Sequence, residues 1–429
     1  MPNKSSSKYI EKRDSMRSKK GLIGLIFIAF ISLGLPDGLL GVAWPDMSTG
    51  FGLPLDAMVM LLVGSTAGYL VSSFFNGVFM QKMGVGGLLS GSCFLTGLAL
   101  LGYTLTPFWW LLPFLAVLSG LGAGAIDAGL NTYVEEKYGE GLMQWMHACF
   151  GIGVTLGPII MTKGLGLTET WRTGYIIVSV IQLVLALTFL LSISLWGNSE
   201  ERDPDSNKDK DDFIKTEEKG SSPGLIQTLK HLPSWLSIAL FFVYTGIEFS
   251  MGHWSYTLLT KSRSVNPEIA GLLVSGYWGF FTIGRVLAGF LSYRIKSGKL
   301  VQGAVLLGLG GSLLLTLNLG AGVSFLGISI IGLAIAPIFP ALVSSTSQRV
   351  GKKHTINTIG MQMAAAGLGG ALLPGLAGIL ARNISLETIP VFLVLLFFTF
   401  LGLYWFTNYT VKRKDKGNDS GKDIFLDKR

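Results

Sequence analysis

Apolar residues in this chain are gathered into twelve blocks separated by short polar breaks. Each block approaches or exceeds the roughly 20 residues that a helix needs to cross a hydrocarbon core. The blocks are Gly21–Pro45, Leu55–Met80, Gly86–Thr106, Phe108–Val134, Leu142–Thr162, Thr173–Trp196, Leu232–Leu259, Glu268–Leu291, Val301–Leu319, Val323–Val343, Ile356–Leu380 and Thr388–Tyr409, numbered 1 to 12 here. Trp44, Trp109, Trp110, Trp145, Trp171, Trp196 and Trp235 sit near block ends, where an amphipathic ring favours the bilayer interface. The first block is full length and many follow it, so it reads as a retained helix rather than a cleaved signal. The pattern predicts an all-α integral membrane protein with twelve transmembrane helices in two pseudo-symmetric six-helix bundles. A basic tail at 1–20 leads into a bundle at 21–196. A charged linker at 197–231 leads to a second bundle at 232–409, and a tail follows at 410–429. The linker is dense in charge and nearly free of apolar residues, the composition of a flexible segment.

Composition narrows the class. Charged residues make up 14% of the 429, against about 25% in soluble proteins, and mean hydropathy is +0.52. A soluble enzyme, a disordered chain and a nucleic-acid-binding domain all fit poorly. The net charge of +8 is explained by topology. With the N-terminus inside, 28 of the 34 Lys and Arg fall on inner segments, 5 on outer loops and 1, Arg285, within helix 8. That split places both termini in the cytoplasm. Cys93 and Cys149 lie in apolar stretches and form neither a disulfide framework nor a metal cluster. No phosphate-cradling G-x4-G-K-[ST] loop is present, and no cofactor motif stands out.

The two halves repeat local features at similar offsets. Gly77 answers Gly289 at 212, Asp37 answers Glu248 at 211, and Gly157-Pro158 answers Leu373-Pro374 at 216. This parallel duplication, with the central loop, resembles the major facilitator superfamily. The superfamily's helix 2–3 signature G-x-L-x-D-R-x-G-R is approached by Gly77-Val78-Phe79-Met80-Gln81-Lys82-Met83-Gly84, with Gln81 where an acid is usual. Its second copy, Gly289-Phe290-Leu291-Ser292-Tyr293-Arg294, also lacks the acid and follows Gly284-Arg285. Helix 5 carries a similar Gly151-x-Gly153-x3-Gly157-Pro158. A narrower resemblance, to the fucose:proton symporter family with its bacterial glucose/mannose symporters, rests on four stretches. They are Asp127-Ala128-Gly129-Leu130-Asn131 in helix 4, Pro36-Asp37-Gly38-Leu39-Leu40 in helix 1, Gly332–Pro340 in helix 10 and Gly360-Met361-Gln362 in helix 11. One departure is that the proline after the helix 1 acid comes late, at Pro45. The resemblance implies import of a hexose or deoxyhexose with a proton by alternating access. It implies the helix 1 carboxylate at the sugar and the helix 4 carboxylate in proton coupling.

Four ionisable residues lie well inside the segments: Asp37, Asp127, Glu248 and Arg285. Together they would cost about 10 kcal/mol if unsolvated and unpaired, so they are expected to face a wet cavity or one another. At about 1.5 Å per residue, Asp37 lies roughly 24 Å from the inner end of helix 1 and Asp127 roughly 12 Å from that of helix 4. That separation favours two roles, with Asp37 accepting sugar hydroxyls and Asp127 carrying the proton. Asn131, one turn from Asp127, is its expected hydrogen-bond partner and a candidate for binding the sugar. Plainer readings stand beside these. Asp37 would cap a break at Pro36-Asp37-Gly38, and Asp127 would pair with Arg285 as a structural charge partner. Glu248 is either a second coupling or sugar-binding acid or a partner of the helix ends near His253. Among residues able to face a sugar, Trp278 and Gln362 rank highest, with Tyr277 beside them. Pro337 and Pro340 are expected to bend helix 10.

The whole predicts a monomeric, non-enzymatic, multi-pass transporter of the cytoplasmic membrane, with no cofactor. Its partners are a small neutral sugar, protons and the bilayer, and no nucleic acid. The alternatives are a proton-driven multidrug or lipophile exporter of the same fold and a sodium-coupled sugar symporter.

Overall fold

The structure, a computed structural model, describes residues 4–138, 140–197, 225–292 and 294–426. Most of the charged linker, 198–224, lies outside them. The described residues are built from long helices. They are α1 (Lys4–Gly50), α2 and α3 (58–83 and 85–105), α4 (Leu111–Lys137), α5 (Glu140–Thr168), α6 (Arg172–Leu191), α7 (Leu232–Thr257), α8 (Pro267–Ser292), α9 (Ser297–Thr316), α10 (Ala321–Ile335), α11 (Thr355–Asn383) and α12 (Thr388–Leu426). The run containing α2 and α3 spans 51 residues, or about 77 Å, more than twice a hydrocarbon core. It is broken at Gly84, whose φ of 66° and ψ of 171° suit a residue without a β-carbon. Eleven candidate runs among the described residues thus supply twelve spans. α10 stops at Ile335 and resumes as Ile338–Ser344, because Pro337 has no N–H to continue the ladder. Apolar side chains such as Val71, Phe74, Leu105 and Phe290 point outward, as a chain solvated by lipid requires.

Two units are formed. The first holds residues 1–53, 60–204 and 267–278; the second holds 54–59, 205–266 and 279–429. In the first unit α1 packs chiefly on α5, and in the second α7 packs chiefly on α11. Without water between helices to expel, close backbone approach supplies the attraction. A β-carbon on Gly34 or Gly38 of α1 would strike the α5 backbone, and one on Gly153 would strike the carbonyl of Ile31. Gly369 meets the Phe242 carbonyl in the same way between α11 and α7. In the first unit, Ser275 of α8 donates to the Thr155 carbonyl at 2.7 Å. In the second, Asp56 pairs with Arg382 at 3.0 Å.

Arg263, just beyond α7, ties the second unit together at one end. Its guanidinium donates to both oxygens of Glu387 (Nε 3.1 Å, Nη2 2.7 Å), to Ser324 Oγ at 2.7 Å and to the Leu315 carbonyl at 2.8 Å. Partial burial raises the pKa of Glu387, but the hydrogen bonds from Arg263 and Ser262 and the Arg263 charge outweigh it and hold the carboxyl below its usual range. A depressed folded-state pKa contributes stability that is present above the unfolded value, about 4.3. It is lost as pH falls through the folded value. Wild-type protein in detergent should therefore lose thermal stability on acidification from pH 6 towards 3 more steeply than Glu387→Gln. Equal slopes would show that the pair contributes nothing.

Candidate functional site

The polar residues of the first unit converge where α2 meets α4. Helix α2 presents Ser65, Tyr69, Ser72 and Asn76 at three- and four-residue spacing, which places them on one face, while Val71, Phe74 and Phe75 face outward. The polar face fits against α4 because Gly120 and Gly124 leave room for it. A β-carbon on Gly124 would collide with Ser72 and with the Tyr69 carbonyl. At this seam Asp127 is half-buried, and both its oxygens are engaged. Asn131 Nδ2 donates to Oδ1 at 2.9 Å, and the Tyr69 hydroxyl donates to Oδ2. Asp37 of α1 is exposed and lies within electrostatic reach of the same Tyr69 hydroxyl. Tyr69 is therefore bonded to one acid and within electrostatic reach of the other, although the depths of the two acids along their helices imply separate roles.

This arrangement can hold a proton or release it. As a carboxylate, Asp127 accepts from both neighbours. As a carboxylic acid it has one O–H to place, and the Tyr69 hydroxyl can turn from donor to acceptor. Asn131 has a second option, since its Oδ1 has no partner. Neither protonation state need strand a buried polar group, whose desolvation would cost about 1–3 kcal/mol. Sequence reading found Asp127 and Asn131 through their i, i+4 spacing but missed Tyr69. The signal lay in the polar spacing of α2, each member of which looks unremarkable alone.

The other candidates separate into three places. Glu248 of α7 is buried, within electrostatic reach of Arg285 and beside the Tyr244 hydroxyl. Arg285 lies over the Phe281 ring, 4.3 Å from its centroid, and its Nε has no hydrogen-bond partner. Glu248 and Arg285 belong to the same unit. His253 stacks on Phe249 at 5.7 Å. Tyr277 and Trp278 are both buried in the first unit and meet edge to face at 4.8 Å.

Gln362 is fully buried in α11 and held elsewhere. Its Nε2 donates to Ser237 Oγ at 2.6 Å, and Thr346 donates to its Oε1 at 3.3 Å. Arg349 joins the same cluster through Ser237, Ser345, Thr346 and the Leu342 carbonyl. Burial lowers the Arg349 pKa to about 10, and the guanidinium rests against the carbonyl end of the Ile338–Ser344 helix, where a cation is favoured. In this arrangement the amide of Gln362 is committed to protein partners.

Comparison with known proteins agrees with this architecture. The family model described as Major Facilitator Superfamily matches residues 26–355 and 236–426. The chain is 23% identical over 389 residues to bypass of stop codon protein 6 of Saccharomyces cerevisiae (85% of this chain, 77% of that one). It is 24% identical to sodium-dependent glucose transporter 1 of Danio rerio (90% and 70%). It is 23% identical to the glucose/mannose transporter GlcP of Bacillus subtilis (83% and 86%). Among solved structures, a bacterial homologue of the human lysosomal transporter Spinster, inward-facing and unoccupied, superimposes with a TM-score of 0.71 at 13% identity over 93% of this chain and 98% of that one. The transporter FucP in its outward conformation gives 0.57 at 14% identity over 90% and 98%.

Proposed function

The chain belongs to the Major Facilitator Superfamily and is a multi-pass membrane transporter rather than an enzyme, and from that premise we propose that it moves a neutral hexose-type sugar together with a proton. Alternating access then exposes one set of residues to each side of the membrane in turn. The observation that carries the reading is the Tyr69–Asp127–Asn131 cluster, a membrane-embedded acid with partners for either protonation state. An ionisable residue at that depth is functional by default. Two relatives bear names as glucose transporters, which supports a hexose as cargo. In this reading Asp127 carries the proton, and Asp37, exposed beside Tyr69, meets the sugar hydroxyls. Glu248 of α7 and the Tyr277–Trp278 pair of α8 are the remaining candidates for the sugar. The excess of basic residues on alternate loops supports a cytoplasmic location for both termini.

Purified protein in liposomes, given an inward proton gradient, should accumulate labelled glucose, mannose or fucose, and a proton uncoupler should release it. If none of a broad sugar panel enters and a cationic dye is expelled instead, the sugar reading gives way to a drug exporter of the same fold.

A further inference from the structure

A small cavity of about 20 Å³ lies within the first unit among α1, α2, α3, α4 and α6. A cavity of that size has room for one small occupant. Its polar walls are Asp37, Ser65, Thr96, Ser119 and Gln182, the rest are apolar, and no basic side chain takes part. Two of these walls are oriented and unsatisfied. Gln182 is 1% exposed, and its Nε2 donates to the Ser32 carbonyl at 2.7 Å. A backbone carbonyl only accepts, so the amide is fixed nitrogen-outward and its Oε1 is the atom left over. That oxygen has no hydrogen-bond partner, and neither has Thr96 Oγ1, on a side chain 3% exposed. A buried orphan of this kind is costly unless something binds it.

The donor set is all oxygen, with a single carboxylate. Oxygen ligands suit hard cations, and a dedicated divalent site usually recruits several carboxylates, which this cavity lacks. One negative charge and neutral hydroxyl and amide oxygens match one small monovalent cation. We propose that this cavity is a sodium site, with Asp37 supplying the charge and Thr96 Oγ1 and Gln182 Oε1 the neutral ligands, assisted by the hydroxyls of Ser65 and Ser119. Asp37 is exposed, so the ion can enter from its side. The site stands on its own geometry; its consequence rests on the transport reading, because sodium beside Asp37 holds the sugar-side acid in one charged form and raises sugar affinity.

The test uses the full chain in detergent without sugar. Thermal unfolding is followed as sodium chloride replaces choline chloride or potassium chloride at constant ionic strength. The melting temperature should rise saturably with sodium alone, on the order of 3 °C. Thr96→Val replaces the hydroxyl by a methyl group of the same size and should weaken the sodium response at least tenfold, whereas Thr96→Ser should retain it. Radioactive sodium binding to the wild-type protein provides a readout independent of variant folding. No sodium-specific shift and no bound sodium would mean that water fills the cavity, and an unaltered response in Thr96→Val would place the ion elsewhere; either result overturns the site. Sodium binding without sugar uptake would overturn the transport reading alone, and proton-driven uptake without sodium binding would overturn the site alone.

Discussion

Replacing Asp127 by asparagine should abolish proton-driven accumulation of sugar while leaving exchange of sugar across the membrane in place. In a one-to-one symporter a gradient of one pH unit supports roughly tenfold accumulation, since about 1.4 kcal/mol is a factor of ten. With no titratable group at position 127 the ratio should fall to one. The substitution is tolerable structurally. The asparagine oxygen still accepts from Tyr69, and Asn131, whose Oδ1 is unpartnered, can rotate to accept from the new amide. Loss of coupling is then separable from loss of folding. Preloaded liposomes read exchange, and the same vesicles with an imposed gradient read accumulation. Asp37→Asn should depress both. An Asp127→Asn protein that still concentrates sugar would remove Asp127 from the coupling role.

The second large effect concerns the scaffold. Gly153→Val should leave little folded protein. A β-carbon at this position of α5 falls on the Ile31 carbonyl and close to the Gly34 Cα of α1. Both obstacles are backbone, so no side chain can swing aside. The two helices must separate along the seam that joins α1 to α5, and overpacking of this kind costs about 1–3 kcal/mol or more. Close packing along such a seam is what holds helices together in lipid, where no hydrophobic drive between them replaces it. Gly310→Val in α9, where a β-carbon meets nothing within 4 Å, is the matched control and should fold normally. Monodisperse yield from detergent and melting temperature check both. A well-folded Gly153→Val protein would show that the α1–α5 approach is not critical.

Particular residues show where sequence reading reached and where it stopped. The spans were legible because hydrocarbon imposes length and apolarity on any crossing helix. Gly84 was visible as part of a motif, and its left-handed backbone is what divides one long helical run into α2 and α3. Asp127 and Asn131 were legible together because one helix alone sets their spacing. Tyr69 was not, because its value comes from Asp127, 58 positions away. Gln362 and Trp278 looked alike as mid-helix polar and aromatic groups. Only packing assigned the first to the Ser237–Thr346–Arg349 cluster and the second to a buried pair with Tyr277. Gln182 becomes an oriented oxygen only once the Ser32 carbonyl fixes its amide.

The order of apolar blocks, the duplication and the identities of the buried charges belong to the sequence by itself, because the bilayer acts on each segment separately and leaves its mark on composition. Tertiary structure decided which polar atoms meet. Helical periodicity names a face but not the partner opposite it. That partner is chosen by where glycines let two backbones close together, as Gly124 does for Tyr69 and Asp127 and as Gly34 and Gly153 do for α1 and α5.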